Sequence, residues 1–388
     1  MHIFDNPFYL LKANPIDNRK KLLELADDAA FEIDSIKSNE SRSILSNPRK
    51  RLEAEFSFFP GNSNSQNEVL FDVIKNKNDL NNFKNIWELN SLSYANLIAN
   101  LIDKDNSDFE NIYLIRLLIE TFNNFDLIDI KLLINEDRNN SGFPEVENDK
   151  DIEEQINSRK IFYLNCIKKY TSDLNLNVYS SLLISFIEES KGLKEPILLS
   201  ILIDSFELQF KQYVLNEEEK VTSIIENIKT KLSSGNKKNS LKKLVLLLNK
   251  ELREWDKLVQ PIQLSTQKRG LEHIQSRELG IKVRNLALEL HNVHKETDLA
   301  RLITINLEDV FKEVTSLSDL SKKDSEILNS VLNQDKIISE VSMYIADANK
   351  KSKESPNESL TISEELLSLC DPLIPDLSSN NNDFFHFL

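Results

Sequence analysis

The sequence predicts an all-α chain: a small N-terminal helical unit followed by antiparallel helical hairpins or a helical bundle. Three observations carry this. Apolar residues recur at spacings near three and four along most of the 388 residues, the period of one helix face. Only six glycines occur, Gly61, Gly142, Gly192, Gly235, Gly270 and Gly280, too few and too scattered for a sheet joined by glycine-rich hairpins. Leu, Ile, Asn, Lys and Glu are abundant and prolines number ten, which suits helices joined by short polar turns.

The chain opens on an aromatic–leucine run, Asn6-Pro7-Phe8-Tyr9-Leu10-Leu11. Residues 36–43 are too short for a full helix before the next strong start signal, Asn47-Pro48. There Asn is a good cap, and proline occupies a first turn whose N–H would be unpaired anyway. The helix so begun, 47–59, carries Arg49, Lys50 and Arg51 near its start. With Asn47 and Pro48 they form either a solvated basic surface held by Glu53 and Glu55 or a docking patch for an acidic partner. The unit closes at Pro60-Gly61, and 62–67 (Asn-Ser-Asn-Ser-Gln-Asn) reads as a linker.

These two ends resemble those of a J-domain, the co-chaperone module that engages Hsp70-type ATPases. J-domains open with a short aromatic–leucine helix and close near a run like Ile44-Leu45-Ser46-Asn47-Pro48-Arg49-Lys50-Arg51-Leu52. The resemblance covers about the first 60 residues. It implies a helical unit that docks an Hsp70-type chaperone or another protein partner. The family's His-Pro-Asp loop has no counterpart, because no histidine falls between His2 and His273. Stimulation of an ATPase in the usual way is therefore not implied.

A middle domain, 68–235, follows. Leu89, Leu92, Ala95, Leu97, Ile98 and Leu101, then Ile112, Ile115, Leu118 and Ile119, keep the helical period. A polar break at 136–144 separates them from a second helical run, 152–233, and 234–240 is the next loop. A C-terminal domain, 241–350, begins with Leu241, Leu244, Val245, Leu248, Leu252, Trp255 and Val259 on one stripe, a well-buried amphipathic helix that Pro261 is expected to stop. From Trp255 to Ala287 the sequence resembles the C-terminal portion of bacterial proteins that begin with the same J-like module.

On the helix expected from 276 to about 294, Leu279, Val283, Leu286, Leu290 and Val293 form one stripe. Arg277, Arg284 and His291 recur every seven residues beside it, on a face shared with Ile281 and Leu288. Such groups pair with acids of adjacent helices; alternatively Arg269, His273, Arg277 and Arg284 converge on an anion or an acidic peptide. A further helix is expected over 298–316 and others over 323–350. The tail, 351–388, is partly flexible in this reading. Its aromatic tip, Phe384, Phe385, His386, Phe387 and Leu388, either folds back onto an apolar groove or serves as a linear motif.

The scarcity of glycine excludes a phosphate-cradling loop. Cys166 and Cys370 are far apart and outside any Cys-x-x-Cys pair, so neither a zinc ribbon nor a redox dithiol is expected. His291 and His294, with Glu289 and Glu296 nearby, lack a zinc signature. Gly-x-Ser-x-Gly is absent, and Cys166 reads as a small buried hydrophobe. A net charge of −15 disfavours nucleic acid and anionic lipid as partners. No apolar run approaches the roughly 18 residues of a membrane span, so the chain reads as cytoplasmic. No cofactor or metal is expected. The function these readings imply is a non-enzymatic, co-chaperone-like adaptor whose J-like unit docks a protein and whose helical body holds a client or assembly. The alternative is a structural or regulatory subunit of a multi-protein bacterial system such as anti-phage defence.

Overall fold

The computed structural model describes residues 1–76, 89–102, 108–190, 195–234 and 238–351. The chain is all-helical, with no strand among the described residues. No described helix is long and apolar enough to cross a membrane. Two compact units divide it: Met1–Leu215 with Lys257–Leu271, and Asn216–Asp256 with Glu272–Leu388.

In the first unit a 3-10 turn, Ile3–Asp5, leads into α1 (Pro7–Leu10), α2 (Arg19–Ala29), α3 (Ser35–Ser46) and α4 (Pro48–Phe56). Each of the four α-helices is capped by the side chain before it. Asn6, Asn18, Asp34 and Asn47 accept from backbone N–H groups of the first turn, satisfying donors that a helix start leaves orphaned. Helix α3 packs on α1, α2 and α4. It is a full helix of 12 residues where the sequence was expected to be too short for one. Its buried face explains the misreading, for it carries Ser38 and Ser41 instead of a full apolar stripe. The Ser38 hydroxyl donates to the Ala26 carbonyl at 2.6 Å, so α3 closes on α2 through a small polar contact.

The expected linker at 62–67 is also structured. Helix α5 (Asn64–Asn76) begins inside it, held by the buried Asn14 amide, which donates to the Asn62 carbonyl at 3.0 Å and to Asn64 Oδ1 at 2.8 Å. Residues 1–61 thus do not form a separate domain. Their Ile3, Phe8, Leu22, Phe58 and Phe59 share one core with residues of α5 to α7, α9 and α10.

Next come α6 (Ser91–Leu101), α7 (Asp108–Asn123), α8 (Leu127–Ser141), α9 (Asp149–Thr171) and α10 (Leu176–Glu189). Buried asparagines of α6 tie it to the N-terminal helices. Asn96 donates to the Phe56 and Phe58 carbonyls at 2.9 and 2.7 Å and accepts from the Tyr163 hydroxyl at 2.7 Å, while Asn100 accepts from the Ile3 amide at 3.1 Å. The break expected at 136–144 starts too early. Helix α8 continues to Ser141 and ends at Gly142, whose φ of 74° suits a left-handed cap. The Phe143 amide then bonds back to the Arg138 carbonyl at 2.9 Å.

Helix α11 (Ile197–Ser233) and α12 (Lys238–Lys268) each contribute to both units. Pro261 lies inside α12 instead of ending it. Proline cannot give the N–H that would bond to the carbonyl four residues earlier; the Ser180 hydroxyl donates to that carbonyl, Lys257 O, at 2.5 Å. In the second unit α13 (Ile274–Asn292), α14 (Thr297–Val310) and α15 (Thr315–Lys351) pack on one another. The stripe read from Leu241 to Trp255 is buried there apart from a half-buried Leu244, and the Trp255 and Phe311 rings lie 5.7 Å apart.

Candidate functional site

The basic run at the start of α4 separates into two kinds of residue. Asn47 Oδ1 accepts from the Arg49 and Lys50 amides at 3.0 and 3.1 Å. This cap sets the first turn so that the Arg49 and Lys50 side chains stand in solvent, while Pro48 is half-buried. Arg51, expected on the same surface, is 0% exposed. One helical turn on, Glu55 is buried too and takes the Arg51 Nε at 2.7 Å. Its other oxygen takes Arg138 from α8 at 2.8 Å. The Arg51 guanidinium also donates to the Leu45 and Pro15 carbonyls and stacks 4.0 Å from the Phe143 ring centroid. Arg51 is therefore a core ion-pair residue and not part of a docking patch. A buried cation must be paired and hydrogen-bonded where it sits, and this one is.

Asp137 adjoins the same cluster. Its Oδ2 accepts the Gly61 amide at 2.8 Å, yet burial pushes its carboxyl up to about 6, opposed by that hydrogen bond and by Arg51.

A second feature lies between α2 and α3. Phe31 is 91% exposed on a connection that is held in shape. The Phe31 amide bonds to the Asp28 carbonyl, the Ile33 amide to the Ala29 carbonyl, and Asp34 Oδ1 caps α3 from 3.0 Å. Lys12 pairs with Glu32 across the connection. Ile36, just inside α3, and Leu23 on α2 are exposed as well. Sequence reasoning passed over Phe31. The available signal was that it falls two residues past Ala29, the last member of the buried Leu22, Ala26, Ala29 stripe.

The residues expected to converge on an anion are each engaged elsewhere. In the first unit Arg269 meets Asp204 at 3.2 Å and Glu195 at 3.9 Å. In the second, Arg284 holds Asp324 of α15 with two hydrogen bonds, at 2.5 and 3.0 Å, and Arg277 approaches Glu272 at 3.9 Å. His273 bonds through Nδ1 to the Ser276 hydroxyl at 2.6 Å, and burial lowers its pKa. Within the second unit His273, Arg277 and Arg284 are each engaged by a different neighbour and do not share one anion. Phe384, Phe385 and Phe387 lie outside the described residues.

His291 bonds to Thr297 and His294 lies 3.9 Å from Glu289. No group of three or more His, Cys, Asp or Glu side chains placed to hold a metal occurs among the described residues. Burial raises the Cys166 thiol to about 11, which leaves it protonated and unreactive at neutral pH. An open depression of about 250 Å³ is lined by Arg116, Asn123, Phe186 and Glu189, and Arg116 pairs with Glu189 across it at 2.6 Å.

Comparison with known proteins supplies no relative. No family model matches the chain, and no curated protein or solved structure matches it with significance.

Proposed function

We propose that this chain is a non-enzymatic adaptor whose N-terminal helices dock a protein partner in the manner of a J-like co-chaperone, while the helical body holds a client or assembly. The observation that carries the reading is Phe31, displayed almost completely to solvent on a well-braced connection. An exposed aromatic flanked by exposed Leu23 and Ile36 is an anchor for another protein. In the J-domain resemblance, the α2–α3 connection is also where the partner-contacting loop belongs. The arrangement of α1, α2 and α4 around α3 supports that correspondence. Arg49 and Lys50, at the far end of α3 from Phe31, add a separate solvated basic surface, which steers an acidic partner more than it strengthens the complex.

The test is the affinity for a purified Hsp70-type ATPase with ATP bound, comparing the full chain with Phe31→Asp and with the double reversal Arg49→Glu, Lys50→Glu. Arg51 stays untouched because it belongs to the core. Phe31→Asp is expected to weaken binding more than about tenfold, the size of an interface hot spot, and the double reversal is expected to slow association. Equal affinity for wild type and Phe31→Asp sinks the reading. Absence of binding to the ATPase, with a Phe31-dependent complex of other proteins recovered from the native cell, moves the role to a subunit of a multi-protein bacterial system.

A further inference from the structure

Helix α12 buries one face and displays another. From Lys242 to Arg253 its exposed positions are Lys242, Lys243, Leu246, Leu247, Lys250 and Arg253. At about 100° per residue they fall within one arc of about 140°, and the first acid on that arc is Glu254. Leu246 is 51% exposed and Leu247 41%. Lys242 and Lys243 stand in solvent with no acidic partner among the described residues. Lys250 comes no nearer than 3.9 Å to Glu251, and Arg253 no nearer than 3.6 Å to Asp309. A cationic face with two exposed leucines thus stands on a chain whose net charge is −15.

We infer that this face is covered by the chain's own segment 358–371, which lies outside the described residues. Its chemistry is complementary: Leu360, Ile362, Leu366, Leu367 and Leu369 are interspersed with Glu358, Glu364, Glu365 and Asp371, and no Lys or Arg occurs beyond Lys353. Burial of Leu246 and Leu247 supplies the attraction, while the cations choose an acidic occupant. The segment is also within reach. Lys238 of α12 pairs with Asp298 at the start of α14 at 3.3 Å, and Asn249 donates to the Leu302 carbonyl at 2.9 Å, so the two helices run side by side in one direction. Helix α15 returns along α14, where Arg301 bonds to Asn329, and continues past the start of α12 to Lys351. From Asn329 to Lys351 it rises about 33 Å at 1.5 Å per residue. Residues 352–363 span up to about 40 Å, enough to bring Glu364 and Glu365 back to Lys242 and Lys243. A tether of this length holds the segment at an effective concentration that an acidic segment of another protein must exceed.

Carbodiimide coupling of the full chain, which joins a lysine to a carboxylate in direct contact, tests this when read by peptide mass spectrometry. It is run on an equal mixture of unlabelled and heavy-nitrogen chains. Links from Lys242, Lys243 and Lys250 to the acids of 358–371 should exceed those from Lys322 and Lys323, exposed lysines of α15, by more than about tenfold. Both ends of each link should carry the same label. The double reversal Lys242→Glu, Lys243→Glu should cut the links of the untouched Lys250 more than about tenfold, with helix content unchanged by circular dichroism. If the reversal lowers helix content, added salt on the wild-type chain makes the same comparison, because it screens exposed charges. Links no more frequent than at Lys322 and Lys323 overturn the inference and leave the face to an acidic segment of another protein. Links between unlike labels overturn it in favour of the same segment from a second copy. Lys250 links that survive both the reversal and the salt overturn it as well, because the cations then do not choose the occupant.

Discussion

Arg51 illustrates how one residue type serves opposite ends within a single run. In Arg49-Lys50-Arg51 the three cations look alike, and the cap at Asn47 makes all of them look like surface. Only helical rotation separates them, turning Arg51 onto the face of Leu52, Glu55 and Phe56. The i, i+4 spacing of Arg51 and Glu55 was legible, but the third member, Arg138, lies 83 residues from Glu55, and no local pattern links them. Truncation should separate the three sharply. Arg51→Ala leaves Glu55 and Arg138 in a cavity without the stacked guanidinium. It is expected to cost about 3–5 kcal/mol, as breaking a buried ion pair does. Arg49→Ala and Lys50→Ala should each fall within about 0.5 kcal/mol of wild type. Urea denaturation measures all three, and a small loss for Arg51→Ala would mean that Arg138 alone satisfies Glu55.

At the scale of elements, the helices whose buried faces are apolar were readable and those whose faces are polar were not. The stripe from Leu241 to Val259 gave the start of α12 directly, since its period matches the buried face. Its end was misread because proline is normally a stop signal, and the feature that overrides it, the Ser180 hydroxyl of α10, is remote in sequence. Ser38 and Ser41 concealed α3 in the same way. The proline in α12 makes a double-mutant cycle informative. Ser180→Ala should cost about 1–3 kcal/mol by removing a buried partner of the Lys257 carbonyl. Pro261→Ala restores the backbone N–H that can bond to that carbonyl, so Ser180→Ala should cost much less in a Pro261→Ala chain. Additive losses in the cycle would show that the hydroxyl does not substitute for the missing helix bond.

For the whole molecule, fold class was legible because it depends on composition and period, which any stretch of the chain displays. The division into units was not, since it depends on which distant segments meet. Thus 257–271 belongs with the N-terminal helices although it continues the stripe of the second unit, and the polar run 62–67 hides a helix start. The response of stability to pH is likewise a sum over the whole chain. Burial, with the Glu313 carboxylate beside it, raises Asp256 from 3.8 to about 8, and Asp137 rises from 3.8 to about 6. A carboxyl raised in this way holds its proton more tightly folded than unfolded, so stability falls as pH rises from the ordinary value to the folded one. Histidines act in the opposite sense. His2, His273 and His291 are all lowered from 6.5, burial being the first cause of each, so they lower stability mainly as pH drops below 6.5. Below 6.5 the two groups of residues oppose each other and the profile is flattened. Between 6.5 and 8 Asp256 draws stability down as pH rises, while the Met1 amino group, lowered from 8.0 chiefly by burial, and the last of the histidine titration draw it up. Denaturation midpoints should therefore respond less favourably to rising pH across that interval in the wild type than in Asp256→Asn, which keeps the side-chain shape but has no charge to bury. The variant's advantage should be larger at pH 8 than at pH 6; an equal change in both proteins would remove Asp256 as the cause.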